Sequence, residues 1–362
     1  RLHAGDAARM NRGHPPEKLG WSHYFQQQLP LEECEDPQTL QPARVFGVQR
    51  SGLELRCADD SLQVPMAGRW FQLPVEERPT VGDWVLLDRA TGQILRLLER
   101  RSLLKRMSVN NVGDLQLIAA NVDVMFLVSS CNEEFNPSRM ERYLSLAYDS
   151  GVIPVVVLTK VDLTDEAESY RQQTLELRRD LVVELVNSLA PESLDNLRAW
   201  IEPGVTVSLL GSSGVGKSTL INSLMGDVVQ ATGGIREEDG KGRHTTTHRS
   251  LHLLPEGGLL LDSPGMRELG IADAQAGVAS MFEDVEELAN DCKFADCQHR
   301  SEPGCRIQRA IADGLLDEER LERYLKLKRE ELYNSETVAE RHVRVRSLGK
   351  IYRQSAKKRS DR

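Results

Sequence analysis

The chain has 362 residues, enough for two or three domains with a sizeable core, and its 55 acidic against 46 Lys and Arg residues give a formal net charge of −9. That balance alone argues against a nucleic-acid partner, no apolar run approaches the ~18 residues of a membrane span, and no secretion signal is visible near the start. Six cysteines without such a signal point to a reducing compartment, the cytoplasm, and to metal ligation rather than disulfides.

The chain opens on Arg1, and Met10 is expected as the natural start, so Arg1–Arg9 is left out of the fold reading. Residues 1–39 form a lead-in, helical or irregular around Trp21, Tyr24 and Phe25, with no role legible in it. Residues 40–107 change character. Five short β-type runs (43–48, 53–57, 62–64, 84–87 and 93–95) are separated by turns rich in Gly, Asp and Pro. Such spacing suggests a small β-barrel of the OB type, and the basic rim of Arg96, Arg100, Arg101, Lys105 and Arg106 favours RNA. A structural or protein-binding β-domain has the same spacing.

From 108 to 275 the pattern is α/β. A Val-rich strand over 122–128 precedes an amphipathic helix over 137–150, with Met140, Tyr143, Leu144 and Ala147 on one face. The next buried strand, 153–158, ends in Thr159-Lys160-Val161-Asp162. A tetrapeptide [NT]-K-x-D after a strand reads guanine: the carboxylate accepts from a donor pair that adenine lacks, and a buried carboxylate facing the wrong base goes unpaired. Thr159 stands where asparagine is usual. Another strand, 181–186, leads to Asn187-Ser188-Leu189, the position of a second guanine loop, with Leu189 a departure from the usual alanine.

The strand 205–210 then runs into Gly211-Ser212-Ser213-Gly214-Val215-Gly216-Lys217-Ser218-Thr219, which matches the P-loop pattern G-x-x-x-x-G-K-[ST], and a helix to Met225. Strand, glycine loop and helix N-terminus together cradle phosphates. Lys217 is placed to reach the β- and γ-phosphates and Ser218 to ligate Mg²⁺. The polar stretch 232–247 occupies the place of switch I; Thr246 is the first choice to complete the Mg²⁺ shell and Thr245 the second. A strand over 258–261 ends in Asp262-Ser263-Pro264-Gly265, a D-x-x-G match, with Asp262 toward Mg²⁺ and the Gly265 N–H toward the γ-phosphate. Met266 follows where many GTPases carry a water-orienting glutamine, a task methionine cannot do, which leaves His244, His248 or a partner group.

Residues 276–335 read as helices around Cys292-x₄-Cys297-x-His299-x₅-Cys305, the composition of a closed structural Zn²⁺ site. Residues 336–362 end in a tail in which nine of the last 23 residues are Lys or Arg, a solvated end or a nucleic-acid contact.

The order T-K-V-D, G-S-S-G-V-G-K-S, G-R-H-T-T-T, D-S-P-G and the Cys₃His set resembles the RsgA (YjeQ) family of bacterial circularly permuted GTPases, over about 40 to 335. Asn121-Val122-Asp123 and the stretch from Phe294 to Cys305 also resemble family sequence. The resemblance implies an OB-fold barrel, a P-loop GTPase of permuted motif order and a small α-helical zinc subdomain. It implies a cytoplasmic factor that binds the small ribosomal subunit and its rRNA and acts late in its maturation, with the particle stimulating GTP hydrolysis. His244 matches the family's switch-I catalytic histidine, beside Lys217. Expected ligands are GTP or GDP with Mg²⁺ on Ser218, Thr246 and Asp262, and one structural Zn²⁺ on the Cys₃His set; a monomer with no membrane partner is expected. Two other readings stand beside it: an RNA-binding assembly module in which nucleotide only sets conformation, and a permuted GTPase acting on the large subunit.

Overall fold

The computed structural model describes residues 16–29, 40–49, 52–57, 60–107, 115–178, 180–226, 249–262 and 275–335. Two compact units emerge: Arg1–Lys105 with Leu117–Leu269, and Arg106–Gln116 with Gly270–Arg362. Among the described residues no helix is long and apolar enough to cross a membrane. The basic tail lies outside the described residues.

In the first unit, alternating apolar residues produce five strands: β1 (Leu40–Gln49), β2 (Gly52–Arg56), β3 (Ser61–Val64), β4 (Trp84–Asp88) and β5 (Gln93–Leu97). β1 pairs antiparallel with β2 and β4, β2 with β3, and β4 with β5. The inward residues Val45, Leu53, Leu55, Val85 and Leu87 are fully buried with Ala43, Ile94 and Trp70 in one core. β6 (Leu103–Met107) and β7 (Leu115–Ala120) form a separate two-stranded ribbon.

The α/β part follows with β8 (Val124–Ser130), β9 (Ile153–Thr159), β10 (Val182–Val186), β11 (Thr206–Leu210), β12 (Arg249–Leu253) and β13 (Leu259–Asp262). The order β10-β9-β8-β11-β13 is parallel throughout, and β12 closes it antiparallel to β13. Runs such as Val155-Val156-Val157-Leu158 are apolar at every position because helices cover the sheet. The helix Pro137–Asp149 starts at Asn136, whose side chain accepts from the Arg139 N–H, and buries Met140, Tyr143, Leu144 and Ala147. It packs on β8 and β9, and the helix Ala167–Leu177 packs on β9 and β10.

β12 also pairs with β1, so barrel and α/β strands share one eleven-stranded sheet. The joint is fixed by Arg44, which is completely buried. Its guanidinium donates to the Leu19, Gly82 and Asn121 carbonyls and to the Thr206 hydroxyl. Burial pulls its pKa down to about 10, opposed by Asp123, so it stays protonated at neutral pH. Asp123 in turn accepts from the Thr206 N–H at 2.8 Å and from Arg101 at 2.7 Å. The lead-in closes over this joint: Leu19 and Phe25 are buried, and Trp21 meets Trp84 edge-on with centroids 4.8 Å apart.

The second unit carries the helices Gln275–Met281, Glu283–Asn290, Arg306–Ala312 and Glu318–Ser335. Phe282, Val285, Ile307 and Tyr324 fill its core, and Arg320 clamps Asp284 with two 2.7 Å bonds.

Replacing Arg44 by Met strands three carbonyls and a hydroxyl in a dry joint, at about 1–3 kcal/mol for each group left unpaired. Arg44→Met is expected to lower unfolding free energy by about 3 kcal/mol or more. Arg56→Met, which removes a half-exposed guanidinium stacked 4.2 Å from the Phe46 ring, costs about 1 kcal/mol or less. Urea unfolding followed by tryptophan fluorescence separates the two, since all four tryptophans lie in the first unit; equal costs would remove the joint's special weight.

Candidate nucleotide site and metal centre

The carboxyl ends of β9, β10, β11 and β13 gather the loops that sequence singled out, as an open parallel sheet requires. β11 delivers Gly211 beside β8, where a Cβ would lie 2.3 Å from the Val128 carbonyl oxygen, so no side chain fits there. Gly214 and Gly216 take φ of 82° and 93°, the left-handed backbone that glycine adopts freely. The loop turns into the helix Lys217–Met225, whose Leu220 and Leu224 are buried in the α/β core. Ser218 and Thr219 stand in its first turn, whose N–H groups have no acceptor within the helix itself. The Lys217 ammonium lies back over the loop and donates to the Gly211 and Ser212 carbonyls.

The T-K-V-D loop is bonded directly to this one. The Thr159 hydroxyl is 2.6 Å from the Val215 carbonyl and 3.1 Å from that of Ser129. Threonine in place of asparagine thus still links the two loops, through one hydroxyl. Lys160 takes a left-handed φ of 61°, and Asp162 sits exposed in the short turn Val161–Leu163. Beyond β10, the Asn187 side chain accepts from the Leu189 N–H at 2.9 Å, and Ser223, on the P-loop helix, donates to the Ser188 carbonyl at 2.6 Å. The Ser188 hydroxyl is buried with no protein partner among the described residues. Leu189 itself is largely exposed.

Asp262 ends β13 in register with Ser250 of β12. Gly265, His244, Thr245, Thr246 and His248 lie outside the described residues. Sequence reasoning missed β12, whose alternating Leu251 and Leu253 were the available signal, and missed Ser223 as a brace for the Ser188 loop.

In the second unit, the donor atoms of Cys292, Cys297, His299 and Cys305 all lie within 4.8 Å of one another and can hold a metal ion. Cys292 Sγ is 3.6 Å from His299 Nδ1 and 3.9 Å from Cys305 Sγ. Burial opposes ionisation of Cys292, but the Arg306 and Ile307 N–H groups bring its thiol below the ordinary range. Burial, helped by Lys328, lowers the pKa of His299 and keeps its imidazole neutral, the form that ligates. Glu302 ties the knuckle by accepting from the Gln298, Arg300 and Ser301 N–H groups, which hold its carboxyl at about 2.

The family model described as RsgA GTPase matches residues 97–272. A Vibrio vulnificus protein named small ribosomal subunit biogenesis GTPase RsgA 2 is 50% identical over 339 residues, 93% of each chain. A Mesorhizobium japonicum protein named small ribosomal subunit biogenesis GTPase RsgA is 45% identical over 88% of this chain and 90% of its own. Among solved structures, YjeQ from Thermotoga maritima superposes with a TM-score of 0.60 at 23% identity, over 81% of this chain and 99% of that one. YloQ, described as a circularly permuted GTPase, gives 0.58 at 23% identity over 80% and 94%. These two likenesses carry the fold: a barrel joined to a P-loop domain of permuted motif order.

Thr159→Val keeps the shape of the side chain and removes its hydroxyl, leaving the Val215 carbonyl unpaired beneath the P-loop. Guanine-nucleotide affinity is expected to fall about tenfold, the equivalent of ~1.4 kcal/mol. Thr159→Ser, which keeps the hydroxyl, should retain most of it. Titration with a fluorescent GDP analogue checks both.

Proposed function

The chain belongs to the RsgA GTPase family, and we propose that it binds the small ribosomal subunit and hydrolyses GTP as a switch in that particle's late maturation. The observation that carries the reading is the bond between the two loops: Thr159 fastens the strand end bearing Asp162 to the P-loop, so one ligand can be held at base and phosphate together. The names and coverage of the relatives, small ribosomal subunit biogenesis GTPases, support this reading, and the cytoplasm is the setting proposed for it.

The residues fit a guanine nucleotide. The Asp162 carboxylate accepts from guanine, the stem of Lys160 lies along the base, and Asn187 and Ser188 close its far side. The orphaned Ser188 hydroxyl supports this, since a buried hydroxyl calls for a partner. At the other end, amides of Gly211, Ser212, Ser213, Gly214, Val215 and Gly216 with those of Lys217, Ser218 and Thr219 surround the phosphates. Lys217 leaves its loop carbonyls for the phosphate oxygens, where its charge is worth most as negative charge spreads in the transition state. Ser218, Thr246 and Asp262 are oxygen donors of the kind that would hold Mg²⁺, and the ion would supply charge neutralisation at the phosphates. The Gly265 N–H senses the γ-phosphate, and His244 holds the attacking water.

The Cys₃His set takes one Zn²⁺ in a structural role. Zn–S bonds of 2.3 Å in a tetrahedron put sulfurs about 3.8 Å apart, close to the 3.9 Å between Cys292 and Cys305. Four protein donors fill that shell and leave no position for a substrate.

GTP hydrolysis by the intact chain, with and without isolated small subunits and with ATP as control, tests the reading. Slow turnover alone and strong stimulation by small subunits are expected; equal rates would defeat the ribosomal part. Lys217→Ala should lower GTP turnover by about 100-fold or more. His244→Ala should keep GTP binding and lose the stimulated rate. Elemental analysis of purified protein should find one zinc per chain, and Cys305→Ser should lose most of it.

A further inference from the structure

Strand β1 serves two partners along one edge. Its first half, Leu40 to Arg44, pairs with β4, and Gly47 and Val48 near its end pair with Ser250 and Arg249 of β12. The change falls at a bulge: register with β2 steps from Val45↔Leu55 to Gly47↔Glu54, leaving Phe46 as the extra residue. A bulge turns the strand and redirects its edge, here from the barrel to the α/β sheet.

One row of directly opposed residues crosses this seam. Glu54 of β2 faces Gly47, Gly47 faces Ser250, and Ser250 faces Asp262 of β13. Opposed residues in antiparallel pairs share a face, and two strand spacings put Gly47 about 10 Å from the aspartate of the D-x-x-G sequence. Gly47 is the thin point of the row. A Cβ there would lie 3.3 Å from Glu54 Oε2, 3.4 Å from Glu54 Cβ and 3.8 Å from the Arg249 carbonyl oxygen. A side chain there crowds the Glu54 carboxylate and fills the space up to the Arg249 carbonyl of β12. β12 is also held by the Arg249 guanidinium, which donates to the Leu117 carbonyl of β7.

We propose that this row couples the barrel to the γ-phosphate end of the nucleotide site, with Gly47 and Ser250 as positioning residues for Asp262. Strain on the barrel when a ribosomal particle engages it reaches Asp262 through two register pairs. Linkage makes the effect reciprocal: the nucleotide held at Asp262 changes the barrel's grip on the particle. This inference rests on the function proposed above.

The test uses the full chain and purified small subunits, with Gly47→Val as the uncoupling variant. It adds bulk beside Glu54 and touches no nucleotide loop. Expected are GTP affinity within about twofold of wild type, and a ratio of particle-stimulated to unstimulated hydrolysis reduced about tenfold. The ratio of particle affinities between the GTP-analogue and GDP forms, about fivefold or more in wild type, should collapse toward one. Glu54→Ala in the Gly47→Val background, which clears the crowded row, should restore stimulation and ratio together. Undiminished stimulation in Gly47→Val, lost GTP affinity in that variant, or failure of Glu54→Ala to rescue it would each overturn the inference. Absence of stimulation in the wild-type chain would overturn the ribosomal reading first, and the inference with it.

Discussion

A single buried guanidinium holds the first unit together. Removing a cation from water costs several kcal/mol unless its donors are met, and Arg44 meets that requirement with carbonyls and a hydroxyl rather than a directly bonded carboxylate. The acceptors come from four places in the chain: the lead-in at Leu19, the Gly82 turn, Asn121 before β8 and Thr206 at the foot of β11. The cation therefore forms its full set of bonds only when lead-in, barrel and α/β sheet are all in place. The lead-in's aromatic cluster keeps water out of the same spot, so a segment with no evident chemistry contributes by keeping the local dielectric low.

That joint reaches the nucleotide loops through one strand. β11 starts at Thr206, held on both sides by Arg44 and Asp123, and ends at Leu210, next to Gly211, which is pressed against the Val128 carbonyl. Both ends of the strand are thus fixed before any ligand arrives. Preorganised amides need little rearrangement as charge develops on a phosphoryl group, and such preorganisation accounts for most phosphoryl-transfer catalysis. The permuted chain order has no cost here. The loops collect at the carboxyl ends of parallel strands, and that geometry depends on strand direction rather than on which strand comes first.

Much of this was legible because local chemistry repeats with a short period. The barrel strands showed as alternating apolar residues, the central strands as unbroken Val and Leu runs, and the metal donors as a spacing fixed by the short reach of four side chains round one ion. What stayed hidden depended on distant contacts. Arg44 looks like a surface charge in an alternating strand, since nothing near it in sequence shows that its partners lie 25, 77 and 162 residues away. β12 was missed because Arg249, Ser250 and His252 are polar, and they suit a strand only with β1 and β13 as neighbours. Thr159 read as a weakened asparagine, whereas its reach to Val215 depends on the two loops meeting in space.

Among the described residues, the Arg44 joint and the β1–β12 seam, both between barrel and α/β sheet, differ in stiffness, and the difference determines where movement can occur. Around Arg44, opening the joint would break four hydrogen bonds from one cation together, at about 1.5–3 kcal/mol each, which exceeds the few kcal/mol that binding commonly makes available for a conformational change. The β1–β12 seam offers two register pairs, one residue without a side chain and an adjoining bulge. A strained sheet yields first where side-chain packing is thinnest and the ladder is already interrupted. A load on the barrel therefore leaves the Arg44 joint intact and moves the strand next to Asp262. The stiff joint acts as the pivot and the seam as the part that gives.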